Sequence, residues 1–146
     1  MSNPIVEMMQ DRVGKKLDDS PSPVSRWLKG TLLSAEEGKL RIEFKVRKEM
    51  TNPVGILHGG SAAMIMDDVI GATVYTLNRE HFFTSTNISI DFLNPAKKGQ
   101  RIIAVAEVMR AGRTIINAEC RLFNEEGQMI AKGMSNLVRT RQEIPK

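Results

Sequence analysis

The hydrophobic pattern changes period several times along the chain. Leu40, Ile42, Phe44 and Val46 alternate with Lys39, Arg41, Glu43, Lys45 and Arg47. Successive side chains of a strand point to opposite faces, so this is a strand with one wet face. From Val24 the period is already read as two: Trp27, Gly30 and Leu32 lead to Leu33, and the turn Ala35-Glu36-Glu37-Gly38 makes the pair an antiparallel hairpin. Before it, Ile5, Met8, Met9 and Val13 recur at helical spacing and predict a short helix over residues 3–14, ended by Gly14. Residues 18–23 form a polar, proline-containing connector. Four further extended segments are predicted over 83–93, 102–110, 114–124 and 128–139. The stretches Asn94-Pro95-Ala96-Lys97-Lys98-Gly99, Ala111-Gly112 and Glu125-Glu126-Gly127 are their turns. The tail from Thr140 reads as polar and loose.

Between the hairpin and these strands lies one long helix, opened by Asn52-Pro53-Val54-Gly55-Ile56-Leu57-His58-Gly59-Gly60 and running to about Leu77. Residues 61–75 contain no Lys or Arg. At about 100° per residue, Asp67 falls among Gly60, Ala63, Met64, Ile70, Gly71 and Val74, while the opposite side carries Ala62, Val69, Thr73 and Thr76. A helix that is apolar all round is expected to be buried, and Asp67 with it. A buried carboxylate is costly unless it is hydrogen-bonded, paired or protonated. It is therefore either a structural acceptor or an acid–base group tuned by its setting. Gly59 and Gly60 leave backbone N–H groups uncovered at the helix start, which favours developing negative charge. His58 stands beside them. Together these residues make a plausible acyl-transfer site.

A single helix wrapped by about six strands implies an α+β domain with a curved antiparallel sheet. The length, 146 residues, suits one domain over 1–146, with its core at about 24–139. Apolar content of 41% and charged content of 26% are ordinary for a soluble protein. No signal-peptide pattern and no run of membrane length is present, so no membrane insertion is expected. The single Cys120 rules out an internal disulfide and fits a reducing, cytoplasmic setting. With two His and one Cys, no metal site is expected. The net charge of +4 and pI near 9.4 suit a polyanionic ligand. The basic residues are scattered, however, and no nucleic-acid motif accompanies them.

The layout and the motif Gly55-Ile56-Leu57-His58-Gly59-Gly60 resemble the hotdog-fold acyl-CoA thioesterases, closest to the phenylacetate-pathway type. Asn52 six residues before His58, Asp67 nine after it, Ser85 eighteen after Asp67, and the Asn94-Pro95-Ala96 turn carry the resemblance. It implies Asp67 as general base or nucleophile toward the thioester, and the Gly59 N–H as donor to its carbonyl. Asn52 is implied to help position water, His58 to hold or polarise the thioester, and Ser85 to support Asp67. Gly60, Asn87, Arg110 and Arg113 are expected at the substrate, the two arginines at the coenzyme A phosphates. Coenzyme A is part of the substrate, and no separate cofactor is implied. On the residues alone, Asn52-Pro53 is also a common turn pair, His58 can merely cap the loop, and Arg110 and Arg113 read as solvated strand ends. Asp68 reads as a structural partner.

The resemblance further implies a homodimer, able to pair again into a tetramer, with Asn52, His58 and Gly59 from one subunit and Asp67 and Ser85 from the other. Two other readings use the same fold. A non-catalytic acyl-CoA binding or sensing module would be expected to lack the acid, and Asp67 is present. A hotdog hydratase or dehydratase uses an Asp and a His on a different motif, which is not visible here.

Overall fold

The computed structural model describes residues 2–145; the outer limits expected for the domain, residues 1 and 146, lie outside them. Its elements run α1 (Pro4–Gln10), α2 (Pro23–Leu28), β1 (Thr31–Glu36), β2 (Lys39–Lys45), a 3-10 turn (Lys48–Met50), α3 (Gly59–Tyr75), β3 (His81–Phe92), β4 (Arg101–Ala111), β5 (Ile115–Phe123) and β6 (Met129–Glu143). Six strands form one sheet in the order β1-β2-β4-β5-β6-β3, with every neighbouring pair antiparallel. The sheet curves around α3, as the hotdog resemblance implies.

Alternation places Leu40, Ile42 and Phe44 of β2, Ile102, Ala104 and Ala106 of β4, and Ile116, Ala118, Cys120 and Leu122 of β5 on the inner face, all buried. They meet Ala62, Ile65, Met66, Val69, Ile70, Thr73 and Val74 of α3, the buried side of that helix. The many alanines on the central strands let the helix lie close. At Gly133 of β6 a Cβ would stand 2.8 Å from Met66 Cε.

Three sequence expectations are corrected. The N-terminal helix stops at Gln10 rather than Gly14, and starts where the Asn3 side chain accepts from the Ile5 and Val6 N–H groups. Gly14 (φ 86°) instead turns the chain, so that residues 14–17 bond along β1. The Gly14 N–H donates to Leu32 O at 2.7 Å and the Leu17 N–H to Gly30 O at 2.8 Å. Residues 23–28, read as extended, are helical. Ser22 caps them by accepting from the Ser25 N–H, Pro23 is the first helical residue, and Lys29 closes them in the left-handed region (φ 57°). A serine cap followed by proline is a helix start, and six residues are too few for the helical period to declare itself. The tail does not loosen at Thr140: β6 continues to Glu143, with the Ile144 N–H donating to Glu80 O at 2.8 Å.

The two sheet edges are treated differently. Residues 14–17 cover the edge of β1, whereas the outer edge of β3, 12 residues long, has no strand beside it among the described residues.

Candidate active site

The loop that opens α3 is set by its own side chains. Asn52 Oδ1 accepts from the Val54 N–H at 3.1 Å and the Ile56 N–H at 3.3 Å, with Gly55 at φ 83° in the turn. Asn52 therefore acts as a turn former through its oxygen and keeps only its amide N–H₂ to offer a ligand. The Leu57 N–H donates to Ala96 O and the Lys98 N–H to Gly55 O, stitching this loop to the Asn94-Pro95-Ala96 turn.

His58 is the N-cap of α3, and its Nδ1 accepts from the Gly60 N–H at 2.8 Å. With Nδ1 accepting, Nε2 is the ring nitrogen left to donate to a ligand. The first N–H groups of a helix have no partner within it. Here Gly60 is satisfied by His58 and Ala62 by His58 O, while the Gly59 and Ser61 N–H groups meet no acceptor among the described residues. The helix start thus offers two open N–H groups, of Gly59 and Ser61, with that of Gly59 next to the imidazole donor.

Asp67 is exposed, contrary to the burial expected from its apolar stripe. The sheet covers the opposite side of α3, so Gly60, Met64, Asp67 and Gly71 face outward in the single chain. Ser85 Oγ donates to Asp67 Oδ1 at 2.7 Å, leaving Oδ2 as the free acceptor. A β-bulge positions Ser85: Ser85 pairs with Leu137 and Asn87 with Asn136, so Thr86 is the extra residue. Thr86 Oγ1 donates to Asn136 O at 3.0 Å. The groove between α3 and this part of β3 has a volume of ≈ 390 Å³ and is lined by Gly60, Ala63, Met64, Asp67, Ser85, Thr86, Asn87 and Ile88.

Asp68 has a different environment. It is half-buried against α2 and accepts from Ser22 Oγ at 3.3 Å. Burial pushes its carboxyl above the usual carboxylate range; hydrogen bonds from Ser22 and Ser25 pull it back, and the Asp67 charge pushes it up again. Of the two acids, Asp67 alone lines the groove.

The structure therefore brings Asp67, Ser85, Gly60 and Asn87 to one groove and Asn52, His58 and Gly59 to the helix start. Asp67 lies eight residues beyond Gly59, about 12 Å along the helix at its usual rise. Arg110 and Arg113 are exposed at the β4–β5 turn and do not line the groove. Arg79 holds that turn by donating to Gly112 O at 3.0 Å and Ala111 O at 3.3 Å. Asn87 and Arg110 share one row across four strands, Asn87–Asn136–Asn117–Arg110. Its side chains are linked: Asn117 Nδ2 donates to Asn136 Oδ1 at 3.0 Å, and the Asn136 N–H to Asn87 Oδ1 at 3.2 Å. Neither Asn117 nor Asn136 stands out in the sequence, since their pairing depends on register. The bulge left a trace, because the polar run Thr84-Ser85-Thr86-Asn87 breaks the alternation of β3.

Residues 54–131 match the thioesterase superfamily. Human acyl-coenzyme A thioesterase 13 is 36% identical over 104 residues, which make up 70% of this chain and 74% of that protein. The zebrafish thioesterase superfamily member 2 structure is 31% identical, with a TM-score of 0.75 over 94% of this chain and 96% of that one. The E. coli PaaI protein from the phenylacetic acid degradation operon has a TM-score of 0.79 over 86% of this chain and 89% of that one; at 20% identity this is a likeness of fold. The family match spans more than half of the chain, and the relatives agree with it: the chain belongs to the thioesterase superfamily, in its hotdog-fold form.

Proposed function

We propose that the protein hydrolyses acyl-CoA thioesters to a free acid and coenzyme A. The observation that carries this reading is the directed, unpartnered N–H of Gly59 at the start of α3. A thioester carbonyl oxygen placed on it gains a hydrogen bond and the helix dipole as negative charge develops there. Such donors are worth roughly 10²–10³ in rate. His58 Nε2–H stands beside it as a second donor to the thioester.

Asp67 supplies the carboxylate. As general base it takes a proton from water while the oxygen attacks the carbonyl carbon. The C–S bond then breaks, and the coenzyme A thiolate leaves and is protonated. As nucleophile it would attack the carbon itself and pass through an anhydride that water opens. Ser85 holds Oδ1 and leaves Oδ2 to work in either case. The Asn52 amide N–H₂ is suited to orient the water. Asn87 and Gly60 line the groove, and Arg110 and Arg113 offer cationic ends for the nucleotide phosphates.

These groups cannot act together within one chain, because about 12 Å of helix separates Gly59 from Asp67, far beyond reacting distance. We infer a homodimer in which α3 of each chain lies antiparallel to its mate. Ala63 is midway between Gly59 and Asp67, so a two-fold axis near it sets Asp67 of one chain against Gly59 of the other. Gly60, Ala63, Asp67 and Gly71 on the open side are small or short, with Met64 the one large side chain among them, and such residues permit close helix approach. The free edge of β3 provides a pairing surface of the kind that proteins cover. Pairing of dimers into tetramers and a cytoplasmic location complete the reading; no helix of the described residues is long and apolar enough to cross a membrane.

The direct test is thiol release from a panel of acyl-CoA substrates. No release from any of them would end the thioesterase reading. Single turnover in H₂¹⁸O then detects a nucleophilic Asp67 whose anhydride is opened at the Asp67 carbon. Direct attack by water puts the label in the product acid at once, whereas an anhydride opened at the Asp67 carbon delivers an unlabelled enzyme oxygen first.

A further inference from the structure

Phe92, the last residue of β3, is 59% exposed, an unusual setting for a phenylalanine. Its ring is not idle. A Cβ built on Gly59 would stand 3.3 Å from Phe92 Cζ and 3.4 Å from Cε1, so the tip of the ring abuts the residue whose N–H is unpartnered. A larger side chain at position 59 would make the ring give way by a few tenths of an ångström. The strand fixes the backbone that carries the ring, since Phe92 pairs with Ala131 of β6 and the following Leu93 N–H donates to Ile130 O at 2.9 Å. A group that hydrogen-bonds to the Gly59 N–H therefore has an exposed aromatic surface next to the same residue. The ring touches Gly59 by its tip, and its flanks remain open.

We propose that Phe92 is a specificity-determining residue for the acyl group, selecting acyl chains that are apolar or aromatic next to the thioester over acetyl. This rests on the thioesterase reading and on the Gly59 N–H as the carbonyl donor. In this proposal the carbonyl oxygen sits on Gly59 and the acyl carbons, rather than the sulfur, are turned to the ring. An apolar substituent there is desolvated against Phe92, and an aromatic one gains an offset or edge-on contact as well. The methyl group of acetyl has almost no surface to offer. A contact present in bound substrate and transition state alike is felt mainly in KM.

The test compares acetyl-, hexanoyl- and phenylacetyl-CoA on wild type, Phe92→Ala and Phe92→Leu, with thiol release as the readout. The kcat/KM ratio of phenylacetyl- to acetyl-CoA should fall roughly tenfold or more in Phe92→Ala, and so should the hexanoyl-to-acetyl ratio. Phe92→Leu, which restores apolar bulk without a ring, should recover the hexanoyl ratio but not the phenylacetyl ratio. A structural role would lower all three substrates by one factor in both variants. Unchanged ratios overturn the proposal, as does equal recovery of both ratios by leucine. Wild type releasing no thiol from any substrate would instead sink the thioesterase reading itself, so the two failures are distinguishable.

Discussion

Asp67 and Asp68 are neighbours in sequence with opposite surroundings. Asp67 is exposed and held by Ser85, whereas Asp68 is turned toward α2 and half-buried beside Ser22. Asp67→Asn should therefore lower thioester hydrolysis by about 10²–10⁴ with the fold intact, because the amide keeps the volume and cannot accept the proton. Circular dichroism checks the fold, and turnover above about a tenth of wild type would remove Asp67 from the chemistry. Asp68→Asn should act on stability. Its carboxyl is raised by burial in the folded state, so the protonated form is at no disadvantage below the ordinary carboxylate pKa, and stability is lost as pH rises through the raised value. The variant should melt higher than wild type at pH 7, by about a degree or more, and the gap should close toward pH 3. A gap that widens on acidification would reverse the assignment. The wheel identified the stripe bearing Asp67 but could not say which side of α3 the sheet would take. Exposure depends on distant strands, and only the structure separates the two acids.

At the scale of elements, legibility followed the length of the pattern. The strand of Leu40, Ile42, Phe44 and Val46 repeats its period often enough to be unmistakable, and β2 is found at Lys39–Lys45. α2 is not legible because the helix that its start signal, Ser22-Pro23, opens is only six residues long. Gly30, which follows that helix, has a role only the packing reveals. A Cβ there would lie 2.6 Å from both Ile42 Cγ2 and Phe44 Cε1 on the buried face of β2. Gly30→Ala should therefore destabilise by roughly 1–3 kcal/mol, as overpacking does, measurable in urea; no shift of the midpoint would mean that the α2–β1 junction relaxes freely. The β4–β5 turn was legible from Ala111-Gly112, but the row joining Arg110 to Asn87 was not. If Arg110 and Arg113 bind the nucleotide phosphates, replacing both with Ala should raise KM for acyl-CoA several-fold with little change in kcat. The effect should vanish for an acyl-pantetheine, which lacks the nucleotide. Equal losses on both substrates would make the arginines structural.

At the scale of the whole molecule, the single chain keeps the two groups of the proposed site apart. The Gly59 N–H and His58 stand at the start of α3, Asp67 and Ser85 about 12 Å along it. The same side of the chain carries the uncovered stripe of α3 and the open edge of β3, while residues 14–17 shield the other edge. The homodimer proposed above would use the free edge, of the kind that proteins cover, and a two-fold dimer is the simplest closed arrangement. Complementation tests the shared site. Asn52→Ala/His58→Ala protein and Asp67→Asn protein should each be nearly inactive. Unfolded together and refolded, they should regain activity. In a heterodimer one of the two shared sites collects both defects and the other collects none. At equal mixing half of the dimers are hybrid, and half of the sites in each hybrid are intact, so about a quarter of wild-type activity is expected. Heterodimers verified by mass spectrometry but lacking activity would place each site within one chain. The separation along α3 would then have to be closed by a rearrangement of the helix start.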